Sequence, residues 1–189
     1  MKFALLLVST GLMGGEHRLY VGAAASKGYV VGAKLPPSGL FVREAGGYRQ
    51  LGFNHPFVAA IDYDRRDPRV LYLAAGNGCL RSGDGGKTWR ILTGWEMTEL
   101  QDISVDANRP GHIYLGLPDG VGFSGDAGKT WTKRRGKHTQ AVRVDRAQAG
   151  RALVGTESGI MVSEDEGLHW RAVGGVAGVV THLEQSPRE

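Results

Sequence analysis

The chain has 189 residues, of which 41% are hydrophobic, and a formal net charge of +4; this suits one globular domain with a sizeable core and excludes a disordered chain. A single cysteine, Cys79, rules out an internal disulfide framework and reads as a small packing residue, and no apolar run approaches the roughly 20 residues of a helical membrane span. Thirty glycines without a Gly-X-Y period exclude collagen and leave frequent tight turns between short strands.

At the N-terminus, Met1-Lys2 and the apolar run at 3–8 resemble a short secretory signal, but no Ala-x-Ala site follows. The run reads better as a strand of the first structural unit, which sets a cytoplasmic location slightly ahead of export. A second strand is expected over 17–22, then an insertion over 26–37, then a worn repeat over 39–52. Beyond it the plan is regular. Ile61 and Tyr63, Ile103 and Val105, and Val142 and Val144 alternate as first strands. Turns follow at Asp67-Pro68, Arg109-Pro110 and Ala149-Gly150, and second strands at 70–74, 112–115 and 152–154. Gly78, Gly120 and Gly159 each precede a third strand, and short fourth strands follow, as at 89–92 and 170–173. Val179 to Glu184 reads as the first strand of a further unit, with Ser186-Pro187-Arg188 as its turn. The units are 1–52, 53–94, 95–136 and 137–175, with 176–189 opening another, all in one domain.

Each third strand ends in an octapeptide: Ser82-Gly83-Asp84-Gly85-Gly86-Lys87-Thr88-Trp89 occurs again at 124–131 and, less completely, at 163–170. The tryptophans Trp89, Trp131 and Trp170 stand 42 and 39 residues apart, the period of units that stack to share a core. Four antiparallel strands in about 40 residues make a β-propeller blade. In a tight turn Asp84, Asp126 and Asp165 can accept backbone N–H bonds, while Gly86, Gly128 and Gly167 supply positive φ. Ser82 with Thr88, and Ser124 with Thr130, are expected to exchange hydroxyl bonds across the hairpin mouth. Ser163 holds the same position in the third copy, and the tryptophans are expected to pack between blades. These residues specify the fold and are not assigned to catalysis.

The pattern Ser-x-Asp-x-Gly-x-Thr-Trp, twice complete and once with His169 in the Thr position, resembles the Asp-box (bacterial neuraminidase repeat) propellers. Relatives with such repeats include sialidases, xyloglucan-type glycoside hydrolases, sortilin-like receptors and photosystem assembly factors of the Ycf48 type. The resemblance implies an all-β propeller whose octapeptides lie on third-to-fourth-strand turns, remote from the family's catalytic mouth. It implies activity far less than fold. Four blades and a leftover strand allow a piece of a longer propeller, a four-bladed ring closed by its last strand, or a homo-oligomer that closes a larger ring. Stopping within a repeat favours the first.

Any ligand is therefore expected on the face opposite the octapeptides. Asn54 and His55, the loop at 93–99 with Trp95, Glu96 and Glu99, and the loop at 133–138 with Arg134, Arg135 and His138 belong there. So do the turn tips at Asn77, Asp119 and Glu157, with the insertion overhanging them. The expected ligand-binding set is His55, Trp95, Glu96, Asp119, Arg134, Arg135, His138 and Glu157. A glycosidase would need paired carboxylates, drawn from Glu96, Glu99, Asp102, Asp119 and Glu157. No arginine triad for a sialic acid is evident, and Glu44-Ala45-Gly46-Gly47-Tyr48-Arg49 is faintly similar to an acidic-x-Gly-Gly-x-Tyr-Arg element of xyloglucan-type hydrolases. The six histidines lack ligand spacing, so no metal and no cofactor are expected. Basic residues are dispersed outside Arg65-Arg66 and 133–138, without interleaved aromatics, so nucleic acid is not the expected partner. A protein or glycan ligand bound without catalysis is the leading reading, and a glycoside hydrolase or part of one is the alternative.

Overall fold

The computed structural model describes residues 3–8, 18–24, 37–55 and 57–186. Met1-Lys2, nearly all of the insertion and the expected turn at 187–188 lie outside the described residues. Sixteen strands and no helix occur among them, in four antiparallel sheets of four consecutive strands.

Blade 1 contains β1 (Phe3–Val8), β2 (Arg18–Ala23), β3 (Gly39–Glu44) and β4 (Gly47–Leu51); blade 2 contains β5 (Val58–Asp64), β6 (Asp67–Ala75), β7 (Gly78–Ser82) and β8 (Arg90–Ile91). Blade 3 contains β9 (Asp102–Val105), β10 (Ile113–Leu117), β11 (Gly120–Ser124) and β12 (Thr132–Arg135). Blade 4 contains β13 (Thr139–Val144), β14 (Ala152–Thr156), β15 (Gly159–Ser163) and β16 (Arg171–Val173). Within each sheet every strand pairs with its chain neighbour, the meander of a propeller blade. The molecule is an all-β partial or small propeller, as the repeat period implies.

Strand alternation gives each blade two apolar faces, and the core is divided accordingly. Ile61, Leu73 and Leu80 stand in register across blade 2 and pack on Tyr20, Leu40 and Leu51 of blade 1. Ala74 and Cys79, on the other face of blade 2, meet Ile103 and Leu115 of blade 3. Tyr114 and Val121 carry the same relation to Val142 and Val154 of blade 4. Cys79 is fully buried, and burial pushes its thiol pKa well up, as suits a packing residue.

The first strands are also joined through polar side chains. Asp62 Oδ2 accepts the Val105 N–H at 2.7 Å, and Ser104 Oγ, at the corresponding place one blade on, accepts the Val144 N–H at 3.1 Å. The C-terminal stretch differs from expectation. No strand forms over Val179 to Glu184, because no further strand pairs with it among the described residues. Instead the segment lies along blade 4, where Val180 N donates to Thr156 O at 2.9 Å, as Leu100 N donates to Ala75 O at 3.2 Å between blades 2 and 3.

The octapeptides form hydrogen-bonded knots around their aspartates. Asp84 Oδ1 accepts from Ser82 Oγ at 2.8 Å, Lys87 N at 3.0 Å and Thr88 N at 2.9 Å, while Oδ2 accepts from Thr88 Oγ1 at 2.7 Å. Asp126 repeats these bonds with Ser124, Lys129 and Thr130. The expected direct Ser–Thr exchange is replaced by convergence of both hydroxyls on the carboxylate, since an anion is the stronger acceptor. In the third copy His169 Nδ1 stands 2.6 Å from Asp165 Oδ2, in the place of the threonine hydroxyl. The knots also join blades. Gly86 lies against Leu51 of blade 1, and Trp131 Nε1 donates to Leu92 O of blade 2 at 3.0 Å. Trp89 and Trp170 instead donate within their own turns, to Gly86 O and Gly167 O, while their rings pack into the interblade clusters.

These contacts set two expectations. The backbone N–H groups of Thr130 and His169, with the neighbouring side chains, hold the Asp126 and Asp165 carboxyls at about 2, and the Thr88 hydroxyl and N–H lower Asp84 likewise. A carboxyl lowered by folding stabilises the native state above its ordinary pKa of about 4 and loses that contribution as pH falls toward 2. Thermal melts followed by circular dichroism should therefore show Tm falling between about pH 4 and pH 2, with a shallower fall in Asp126→Asn/Asp165→Asn. The knots also hold Ala127 at φ 61°, where Gly85 stands in the first copy. Ala127→Gly should raise Tm by about 2 °C by relieving the left-handed strain. Gly120→Ala, at φ 142° and directed into the Arg134 carbonyl, should cost about 2–3 kcal/mol in denaturant unfolding.

Candidate functional site

Three backbone bonds define the two faces of the array. Gly85 N donates to Arg69 O at 2.9 Å, Ala127 N to Gly111 O at 2.9 Å and Glu166 N to Gly150 O at 3.1 Å. Each ties a third-to-fourth turn to a first-to-second turn at the octapeptide end. The second-to-third turns and the interblade loops consequently share the opposite end, where the candidate residues were sought.

At that end the second-to-third turns of blades 2, 3 and 4 are each fastened to an interblade loop. His55 is 4% exposed, with Nε2 2.5 Å from Asn77 Oδ1 and Nδ1 2.8 Å from Phe57 O. Its ring thus fastens the turn of blade 2 and leaves little surface for a ligand. Lys133 Nζ donates to Glu96 O at 2.8 Å and pairs with Asp119 Oδ2 at 2.8 Å, bringing the Glu96 loop and the Asp119 turn together. His138 is half-buried; its carbonyl accepts the Glu157 N–H at 3.2 Å, and Lys137 Nζ bonds Ser158 Oγ beside it. Asn77 was expected on this face only as a turn tip, and Lys133 and Lys137 only within the 133–138 loop; their fastening role follows from cross-loop contacts that no local pattern reveals.

Three side chains at this end are differently placed. Trp95 is 90% exposed at the tip of its loop. Arg134 and Arg135 are exposed on β12, paired through the backbone with Val121 and Gly120, and their guanidinium groups make no ion pair or hydrogen bond among the described residues. Glu96, Asp119 and Glu157 are exposed near them in the fold.

Asp102 belongs elsewhere. It is 8% exposed, and its Oδ2 accepts Val142 N at 2.8 Å and Arg143 Nη1 at 2.8 Å, across the step from blade 3 to blade 4. Burial pushes this carboxyl up, opposed by the Arg143 guanidinium and by the N–H groups of Val142 and Ile103. It is a joint between blades, and alternation along β9 could not distinguish that from a residue facing a central cleft.

The Glu44–Arg49 segment, faintly similar to a hydrolase element, also lies away from the candidate face. It forms the turn between β3 and β4, closed by Arg49 Nε donating to Glu44 Oε1 at 2.6 Å, at the octapeptide end. A concavity of about 930 Å³ lies there, lined by Arg18, Tyr20, Val42, Glu44, Tyr48 and Arg49 among others. Residues 9–17, between β1 and β2, lie outside the described residues. No group of three or more metal-ligating side chains occurs among the described residues, and no helix there is long and apolar enough to cross a membrane.

No family model and no curated protein sequence matches the chain. Solved structures do. YCF48 from Cyanidioschyzon merolae superposes with a TM-score of 0.55 at 22% identity, covering 66% of this chain and 39% of that protein. A structure described as YCF48 bound to D1 peptide gives 0.55 at 21% identity, over 69% of this chain and 46% of its own. The GH74 xyloglucanase from Xanthomonas campestris gives 0.58 at 16% identity, over 85% of this chain and 30% of its own. The chain thus spans less than half the length of each of these proteins, and at such identities the likeness shows the β-propeller fold alone.

Proposed function

We propose that the chain is a non-catalytic Asp-box propeller module that binds a polypeptide through the face opposite the octapeptides. The observation that carries this reading is the combination of Trp95, 90% exposed, with the guanidinium groups of Arg134 and Arg135 at the same end, which have no partner among the described residues. Tryptophan and arginine are the side chains most enriched among residues that dominate protein interfaces, because a ring offers apolar area and a guanidinium meets carboxylates with two parallel bonds. The fastened loops hold this surface in place, so little ordering accompanies binding. The peptide in the YCF48 complex is consistent with such use of the fold.

A glycan is the second reading, favoured by the likeness to a xyloglucanase. An enzyme of that class needs two carboxyl groups across a cleft. Of the candidates, Asp102 is engaged between blades and Asp119 with Lys133, leaving Glu96, Glu99 and Glu157.

Trp95 is also a built-in reporter, since Trp89, Trp131 and Trp170 are half-buried. Titration with an array of acidic, aromatic-containing peptides should change its fluorescence, while xyloglucan oligosaccharides should not and should not be cleaved. Against the best-binding peptide, Trp95→Ala should weaken affinity about 30-fold or more, which is about 2 kcal/mol. Arg134→Ala/Arg135→Ala should weaken it and flatten its salt dependence. Affinity unchanged in both variants would exclude this surface, and oligosaccharide turnover abolished by Glu→Gln at one of the three remaining carboxylates would establish the hydrolase reading.

A further inference from the structure

In blade 3 three buried polar atoms have no hydrogen-bond partner among the described residues: Oδ2 of Asp106, Nδ1 of His112 and the hydroxyl of Tyr114. Asp106 is 1% exposed and Tyr114 is 0% exposed. Backbone register places the three together. Asp106 N donates to His112 O at 2.9 Å, so these residues face each other just beyond the ends of β9 and β10. Tyr114 lies two residues past His112 and projects to the same side, toward blade 4, where it packs with Val142 and Val154. The Asp106 carboxylate acts on both rings. Burial drives the His112 pKa down and the Tyr114 pKa up, and the nearby Asp106 charge opposes the first shift and adds to the second.

In the neighbouring blades the aspartate at the corresponding position is met directly by a guanidinium. In blade 4, Asp145 N donates to Arg151 O at 2.9 Å in the same register, and Arg151 Nη1 reaches Asp145 Oδ2 at 3.1 Å. In blade 2, Arg66 Nη2 reaches Asp64 Oδ2 at 2.8 Å. In blade 3 the shorter imidazole of His112 replaces the guanidinium of Arg151. Asp106 Oδ1 is occupied by Asn108 N at 2.7 Å and Arg109 N at 3.2 Å. The Arg109 guanidinium, which could have served Oδ2, is paired instead with Glu166 in the octapeptide of blade 4.

We propose that one internal water molecule bridges Asp106 Oδ2, His112 Nδ1 and the Tyr114 hydroxyl, and forms part of the joint between blades 3 and 4. The donors and acceptors balance. The phenol donates to the water, which donates one hydrogen to the carboxylate and the other to Nδ1 of a neutral imidazole protonated at Nε2. Three bonds to otherwise unsatisfied buried groups is the usual coordination of an internal water. The water replaces the arm of the arginine found one blade later.

A crystal structure at high resolution tests this, with a density peak expected at about 2.6–3.2 Å from all three atoms. In His112→Arg, which rebuilds the arrangement of blade 4, that peak should vanish and the guanidinium should meet Asp106 directly. Independently, Tyr114→Phe should lower Tm by about 2–4 °C, because it removes a satisfied donor and leaves the water short of a partner. A wild-type map with no peak between the three atoms would overturn the proposal. So would a Tyr114→Phe protein whose Tm is unchanged or higher, since deleting a hydroxyl that has no partner costs nothing.

Discussion

The fold depends on one repeated electrostatic contact, an aspartate in a tight turn with several donors aimed at it. Backbone N–H groups in a turn need acceptors, and the surrounding strands have already committed their carbonyls to the ladders. A carboxylate placed two residues beyond the serine gathers those donors, and the two hydroxyls besides. The turn is then rigid enough to carry a tryptophan into the neighbouring blade. In this way a half-buried carboxylate controls how the apolar faces meet.

The third copy separates the requirement from the residue that usually meets it. His169 occupies the threonine position with its side chain 88% exposed, yet its Nδ1 lies 2.6 Å from the carboxylate. What the turn requires there is a donor within reach, and an imidazole meets that requirement as a hydroxyl does. Glu166 shows the same economy: it adopts φ 63° at a position glycine would suit better, and its carboxylate pairs with Arg109 on the adjoining turn. The strain and the ion pair belong to one residue, so the turn keeps its shape while the sequence around Asp165 drifts.

Periodicity made the blades legible. The recurrence of Gly78, Gly120 and Gly159, and of the three tryptophans, placed the strands, the turns and both faces of the array, because antiparallel alternation leaves no other arrangement. Legibility stopped where a side chain's destination depends on a neighbouring blade. Asp102 and Asp62 carry the same acidic group as a loop carboxylate would, but they meet N–H groups 40 and 43 residues away in sequence. The same holds for His55 and Lys133, whose roles as fasteners rest on Asn77 and on the Glu96 carbonyl. Trp95 stands exposed on its interblade loop, a position that topology alone dictates. The faint Glu44–Arg49 similarity is a short match that carries no topology, and the strand order places that turn at the octapeptide end.

The division of labour between the two ends follows from how each is built. At the octapeptide end, the aspartates and tryptophans of the turns are spent in knots and interblade packing. At the opposite end, the loops are fastened by a small number of bonds through His55, Lys133 and Lys137, and those bonds use lysine ammonium groups and carbonyls. The guanidinium groups of Arg134 and Arg135 and the indole of Trp95 are not consumed in fastening. A surface that is held rigid by one set of residues and displays another is the arrangement that binding without reorganisation demands. The repeat produces it because the knots of blades 2, 3 and 4 all stand at the same end.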